Sequence, residues 1–280
     1  MKTVCDVLGV ARSNVTERAS RSEHWRDGRK NRRPTDDEAL VAEIRAEVRE
    51  LPTYGYRRTC EFVRRRRLAE QRPPVNHKRI YRVMREHRLL LTRSPRRGAD
   101  RRHEGRIGVE HSDTRWCSDA LEIRADNGER IRLAFSLDCC DRELMSWVAV
   151  VNAGIDGDLV RDLMLEAVEY RFGAPQAPKP IQWLSDNGSP YIAADTRGFA
   201  RELGLIPLTT PVQSPQSNGM AEAFVNTLKR DYVSVNAIPD AMSVLAQLPG
   251  WIEHYNEHHP HSALRMRSPR MFRRERAIMK

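Results

Sequence analysis

Three acids are the residues whose types and spacing could do chemistry: Asp119 in WCSDALEI, Asp186 in WLSDNGS and Glu222 in SPQSNGMAEAFVNTLKRD. Asp186 and Glu222 stand 36 positions apart (222 − 186), and Lys229 follows Glu222 by seven (229 − 222). Two Asp and one Glu on different elements make a cage for two divalent cations. Such a pair, about 3.5–4 Å apart, activates water or a sugar hydroxyl against a phosphodiester and stabilises the leaving oxygen. Asp119, Asp186 and Glu222 are therefore the expected catalytic and metal-binding residues. Taken alone each has a bland reading, as a solvated acid or, for Glu222, as an acid favoured by about 0.3–1 kcal/mol near a helix N-terminus. The joint pattern favours chemistry.

The elements that must position these acids can be read from apolar periodicity. Alternation along 117–123 puts Asp119 on the face of Cys117, Leu121 and Ile123, where a lone carboxylate is costly unless paired or metal-bound. Asp186 ends the short strand IQWLS, and Asn187-Gly188 turns the chain, at the kind of strand end where sites gather in open α/β sheets. Glu222 opens a helix over about 218–232. Lys229 lies two turns on, roughly 10 Å along the same face, where it meets a phosphate; Asn226 on that face either contacts DNA or orients Glu222, and Arg230 is a further expected DNA contact. Strands are expected at 115–124, 130–138 and 144–151, with a hairpin turn at Asp126-Asn127-Gly128. A helix over 157–171, the strand before Asp186, a helix over 195–204, a strand IPLTT and a last helix from about 240 complete the order βββαβαβαα.

Charge is divided along the chain. Residues 1–110 hold 29 Lys/Arg against 16 Asp/Glu, residues 111–260 hold 12 against 21, and residues 261–280 hold 7 against 1. Basic ends around an acidic centre, with a net charge of +10, suit a polyanionic partner and a centre that binds cations. In the basic arm, helices are expected at 37–50, at 56–69 with the run Arg64–Arg67 outward, and from Asn76 onward. The third presents Ile80, Val83, Met84 and His87 or Leu90 on one face, with Lys78, Arg79, Arg82 and Arg85 elsewhere. This matches a helix-turn-helix module binding DNA through those four residues together with Arg57 and Arg58, against the alternative of a basic three-helix bundle. Residues 4–20 read either as the second half of another helix-turn-helix, with Arg12, Ser13 and Asn14 toward a groove, or as a plain amphipathic helix. The expected division is 1–34 partial helix-turn-helix and linker, 35–92 helix-turn-helix domain, 93–110 basic linker and 111–275 catalytic core.

Five cysteines without CxxC spacing indicate a reducing compartment rather than a disulfide framework. No 18-residue apolar run suggests a membrane span, and the N-terminus does not read as a signal peptide. His254 and His258, at i and i+4 with His259 and His261 beside them, could hold zinc, but a solvated helix end or DNA contacts fit better.

SDNGS, SPQSNGMAEAFVNTLKRD and HYNEHHPHSALRMRSPR resemble the DDE transposases of bacterial insertion sequences, in particular the OrfB product of the IS-three family within the retroviral-integrase-like superfamily. The resemblance runs from about residue 35 to 275 and includes LPTYGYRR and NHKRIYRVMREHRLLL. It implies a ribonuclease-H-like α/β fold, a mixed sheet preceded by an all-α helix-turn-helix domain. It assigns Asp119, Asp186 and Glu222 to the metal-binding triad and Lys229 to contact with substrate ends. The implied cofactor is a pair of Mg²⁺ ions, with Mn²⁺ as an alternative. The implied reaction is nicking at 3′ ends followed by attack of the 3′-OH on another phosphodiester. Partners implied are terminal-repeat and target DNA, further copies of the chain, and an upstream OrfA product, all in the bacterial cytoplasm. Two rivals are a ribonuclease-H-type nuclease that cuts without joining and a non-catalytic DNA-binding regulator. Within the C-terminal segment His259 stands where many relatives carry Arg, and Arg265-Met266 where Gly plus an aromatic is common.

Overall fold

Period-two alternation becomes a five-stranded sheet of order β3-β2-β1-β4-β5, built from β1 (Arg115–Arg124), β2 (Arg130–Asp138), β3 (Leu144–Val151), β4 (Ile181–Ser185) and β5 (Leu205–Thr209). The computed structural model describes residues 2–7, 9–25, 37–92, 109–210 and 219–278. The first three strands are antiparallel neighbours in a meander, whereas β1–β4 and β4–β5 are parallel. Parallel pairing needs a crossover, and helices supply it: α6 (Gly157–Phe172) before β4, and α7 (Ser189–Ile192) with α8 (Ala194–Glu202) before β5. The hairpin turn falls where Asp126-Asn127-Gly128 places it. Gly128 has φ +91°, a conformation glycine adopts without steric cost.

Both faces of the sheet are covered, and the two faces recruit different helices. On one, Cys117, Leu121, Leu133 and Phe135 pack against Phe224 and Leu228 of α9 (Gly219–Asp231) and against Leu248 and Ile252 of α10 (Ala241–Glu257). On the other, Trp116, Ala134 and Trp183 meet Val160, Leu163 and Met164 of α6 and Ala200 of α8. Burying each large side chain contributes roughly 1.5–3 kcal/mol. Caps fix the helix starts, since Asp156 accepts from Leu159 N at 3.0 Å and Asp240 from Ser243 N at 2.7 Å. All five cysteines are free thiols.

The chain divides into two compact units, residues 1–41 and 42–280. In the first, α1 (Lys2–Val7) and α2 (Arg12–Ala19) flank Gly9 at φ +60°, and Arg12, Ser13 and Asn14 are exposed. The boundary falls within α3 (Glu38–Glu50). The larger unit holds both the sheet and the helices α4 (Tyr56–Ala69) and α5 (His77–Glu86), whose buried residues include Cys60, Val63, Ile80, Val83 and Met84. The expected linker at 93–110 lies mostly outside the described residues, as does the loop 211–218.

Three expectations need correction. Of the alternatives His87 and Leu90, the first is exposed and the second half-buried, because α5 ends at Glu86. The run Arg64–Arg67 does not simply point outward: Arg64 donates to Val75 O, Arg65 to His258 O and Met266 O, Arg66 pairs with Glu47 and Arg67 with Glu43. The chain also continues past α10 into a further helix, α11 (Pro269–Ile278), where charge alone suggested a basic tail.

Candidate active site

Register explains how two of the acids meet. On adjacent parallel strands Cys117 pairs with Leu184, the last rung between β1 and β4. Asp119 stands two residues beyond that rung within β1 (119 − 117), on the face of the rung's side chains, and Asp186 stands two beyond it (186 − 184) in the turn that follows β4. The charges of Asp186 and Glu222 both act on Asp119, which puts the three acids in one neighbourhood. Across β1, Asp119 pairs with Phe135, whose ring lies 4.6 Å from that of Phe224. Phe224 is two residues beyond Glu222 on α9, so the aromatic contact docks the start of this helix over the strand that carries Asp119.

The electrostatics agree with this placement. Burial, reinforced by the charges of Asp186 and Glu222 and opposed by a 2.8 Å hydrogen bond from Ala120 N–H, pushes the Asp119 carboxyl up to about 6. Asp119 is half-buried, while Asp186 and Glu222 are exposed. Asp186 accepts from Gly188 N at 3.0 Å, and a Cβ at Gly188 would stand 3.0 Å from the same carboxylate oxygen. Asn187 donates to Thr210 O at 2.8 Å and ties the turn to the end of β5. Among the described residues no three acid, thiol or imidazole side chains are already gathered closely enough to hold a metal ion. The donor set nevertheless suits a hard cation: three carboxylates, one of them pushed up first by burial and then by the charges of the other two, both of which a bound cation would offset.

Tyr191 escapes a reading of the sequence. It is buried on α7, and its hydroxyl lies 3.0 Å from Ser118 Oγ, next to Asp119. Burial and the nearby Asp119 and Asp186 charges push its phenol well above the ordinary value. It braces the Asp186 turn against β1, and an aromatic three residues after a turn glycine carries no sequence signal of that contact.

The expected DNA contacts are distributed over two surfaces. Lys229 and Asn226 are exposed on α9. Arg230 is exposed as well but bonds Asp231 at 2.7 Å, and Arg58 reaches the same buried carboxylate at 3.0 Å. Lys78, Tyr81 and Arg85 line the open side of α5, with Arg79 and Arg82 half-buried and Arg82 paired with Glu86. Arg57 is exposed above the Tyr56 ring, and Tyr56 packs edge-on against Tyr81 at 5.0 Å. Of the four histidines only His258 is exposed, as a solvated helix end would be; His254 and His259 are engaged within the fold, with His254 Nδ1 2.9 Å from Tyr232 OH and His259 Nδ1 2.5 Å from Tyr54 OH.

Comparison with known proteins places this geometry. Residues 109–215 and 204–269 match two integrase core domain families, and residues 35–98 match an HTH-like domain. The transposase InsD of insertion element IS2A/D/F/H/I/K from Escherichia coli is 49% identical over 271 residues, 96% of this chain and 89% of that protein. The chain belongs to the integrase-core transposases of insertion elements. Its fold is the ribonuclease-H-like mixed sheet preceded by a helix-turn-helix-like region, and its enzyme class is the DDE-type polynucleotidyl transferases. Two solved structures are also similar. One is a simian T-cell lymphotropic virus intasome with a PP2A regulatory subunit, at TM-score 0.48 and 15% identity over 71% of this chain and 66% of that one. The other is the catalytic core domain of BIV integrase, at TM-score 0.41 and 15% identity over 60% of this chain and 99% of that one. Among the described residues no helix is long and apolar enough to cross a membrane.

Proposed function

We propose that Asp119, Asp186 and Glu222 are the catalytic acids of a Mg²⁺- or Mn²⁺-dependent transposase that nicks the 3′ ends of its element and joins them to target DNA. The observation that carries this reading is the shared rung: Asp119 on β1 and Asp186 in the turn just past β4 stand two residues beyond it, and Glu222 opens the helix whose Phe224 packs on Phe135 opposite Asp119. Asp119 and Asp186 would hold a pair of divalent ions between them, and Glu222 would complete one site. When bound, the ions supply charge stabilisation at both the attacking and the leaving oxygen of an in-line displacement. The residues themselves orient the phosphodiester. Gly188 N–H fixes the Asp186 carboxylate, Lys229 offsets phosphate charge two turns along the same face of α9, and Asn226 positions the strand beside Glu222. Water opens the phosphodiester at the element end in the first step. In the second, the freed 3′-OH attacks a target phosphodiester, and the leaving 3′-oxygen takes the proton. Affinity comes from the basic α5 surface and from Arg57, which meet the DNA backbone and groove. Further copies of the chain on DNA, and an OrfA product acting with it or fused to it, complete the proposed assembly in the bacterial cytoplasm.

Strand transfer tests the reading. A pre-cut end oligonucleotide with Mg²⁺ should be joined to target by the wild type and not by Asp186→Asn, while both bind the end equally well. Joining by the variant at the wild-type rate would contradict the assignment, and cutting without joining by the wild type would identify a nuclease.

A further inference from the structure

Beside the α9 surface that carries Glu222 lies a cavity of about 290 Å³, lined by Arg58, Arg142, Arg230, Asn226, His261 and Ser262 among others. Its polar lining is dominated by donors. Arg58 and Arg230 share the buried Asp231 carboxylate, but Arg142 makes no ion pair among the described residues. The carboxylate in its wall, Asp138, is already spent: it accepts from Cys140 N at 2.7 Å, Asp141 N at 3.0 Å and Asp113 N at 2.7 Å, and it faces Arg171 at 3.5 Å. His261 is only 7% exposed, and its Nε2 is buried without a hydrogen-bond partner. A half-buried guanidinium without a counter-ion beside an orphaned imidazole nitrogen calls for an anion that only accepts hydrogen bonds.

The turn that presents Arg142 is built to hold it. Asp138 and Asp141 tie down the backbone of residues 140–143, and Arg142 sits at φ +64°, where a side-chain-bearing residue is strained. The position on α9 indicates what the anion belongs to. At about 100° per residue, Lys229 projects within about 20° of Glu222, Asn226 about 40° to the other side, and Arg230 about 80°. A chain lying along Glu222 and Asn226 therefore runs onto the rim of the cavity.

We propose that this cavity is a subsite for one backbone phosphate of the DNA strand that crosses α9, with Arg142 its principal donor and His261 and Ser262 adding hydrogen bonds. The assignment rests on DNA being the substrate, as proposed above. Arg142 takes part in no step of the chemistry. It fixes the strand a short distance from the reacting phosphodiester.

The test is binding of the full chain to a duplex carrying the end of its own element, by fluorescence anisotropy without divalent metal and across a salt series. Arg142→Gly suits the positive φ, so it should fold at least as well as wild type in thermal melts. It should bind the end roughly tenfold more weakly and lower the slope of log K against log salt by about 0.9, the loss of one phosphate contact. Arg142→Lys should keep the slope. A methylphosphonate scan of the strand should find one position that weakens wild type but not Arg142→Gly. An unchanged slope and scan in Arg142→Gly, with wild type still binding DNA steeply with salt, would overturn the subsite alone. Salt-insensitive binding by wild type would overturn the DNA reading itself. Inorganic phosphate binding that depends on Arg142, with no change toward DNA, would make the cavity a free-anion site and refute the strand assignment.

Discussion

Single residues carry the chemistry, and their tolerances are narrow. Gly188 is the clearest case: its N–H fixes Asp186, and any Cβ there would meet the carboxylate oxygen at 3.0 Å. Gly188→Ala should therefore shift Asp186 and slow strand transfer about 10- to 100-fold, the scale of a misplacement near 1 Å, with an unchanged circular dichroism spectrum. An equal rate would mean the turn does not set the carboxylate. Elsewhere strain is stored in the backbone. Arg265 and Met266 both have positive φ, at +55° and +66°, a region that favours glycine. Arg265→Gly should raise stability by about 1 kcal/mol, read from chemical denaturation, and no gain would show that Arg265 contacts offset the strain. The elements that carry the three acids, β1, the turn after β4 and the start of α9, were legible because strand alternation and turn chemistry are local signals. The environments of Arg142 and His261 were not, because each depends on residues more than a hundred positions away.

At the level of elements, the ion-pair networks decide how the sheet meets its helices. Arg171, at the end of α6, is buried among Asp113, Asp138, Asp141 and Glu143, with bonds of 2.6 Å to Asp113, 2.5 Å to Asp141 and 2.5 Å to Glu143. Glu143 also draws in Arg270 and Arg273 of α11, each at 3.0 Å. These contacts explain why α11 was not legible: its inward side is held by charge rather than by an apolar stripe. Removing the cation leaves buried carboxylates uncompensated, so Arg171→Met should cost about 3–5 kcal/mol. Melting within a degree of wild type would contradict that. A second network joins the turn before α4 to the end of α10 and the segment after it: Tyr54 bonds His259, Phe62 of α4 stacks on His254, and His259 packs on His261. Burial pulls His254 down to about 4 and His261 down to about 3. Below the ordinary value of 6.5 the unfolded chain gains protons that the native state refuses, so these groups weaken the fold as pH falls from 6.5 toward 4. Each imidazole should contribute about 1.4 kcal/mol per pH unit in that window. The comparison is with His254→Gln/His261→Gln, whose stability should fall less steeply with acid.

The whole molecule pairs a basic arm and tail with an acidic centre, and that arrangement was visible in composition alone. So was the order of strands and helices, because period-two and period-3.6 patterns survive without tertiary information. What composition did not reveal is that one compact unit, residues 42–280, holds both α4–α5 and the sheet, with Arg58 on Asp231 and Arg65 on His258 O and Met266 O. Those arginines read as solvent-facing because their partners lie 173 to 201 positions away. At this scale, binding to DNA ends should weaken about 10³- to 10⁵-fold between 50 and 200 mM salt, if six to ten phosphates are engaged. A salt-insensitive complex would contradict a phosphate-clamping surface. The most direct measurement is strand transfer with a pre-cut end oligonucleotide and Mg²⁺, run side by side for wild type, Asp119→Asn, Asp186→Asn and Glu222→Gln. Joined product is expected from wild type alone, with end binding retained by all four. Joined product from any of the three variants at the wild-type rate would contradict it.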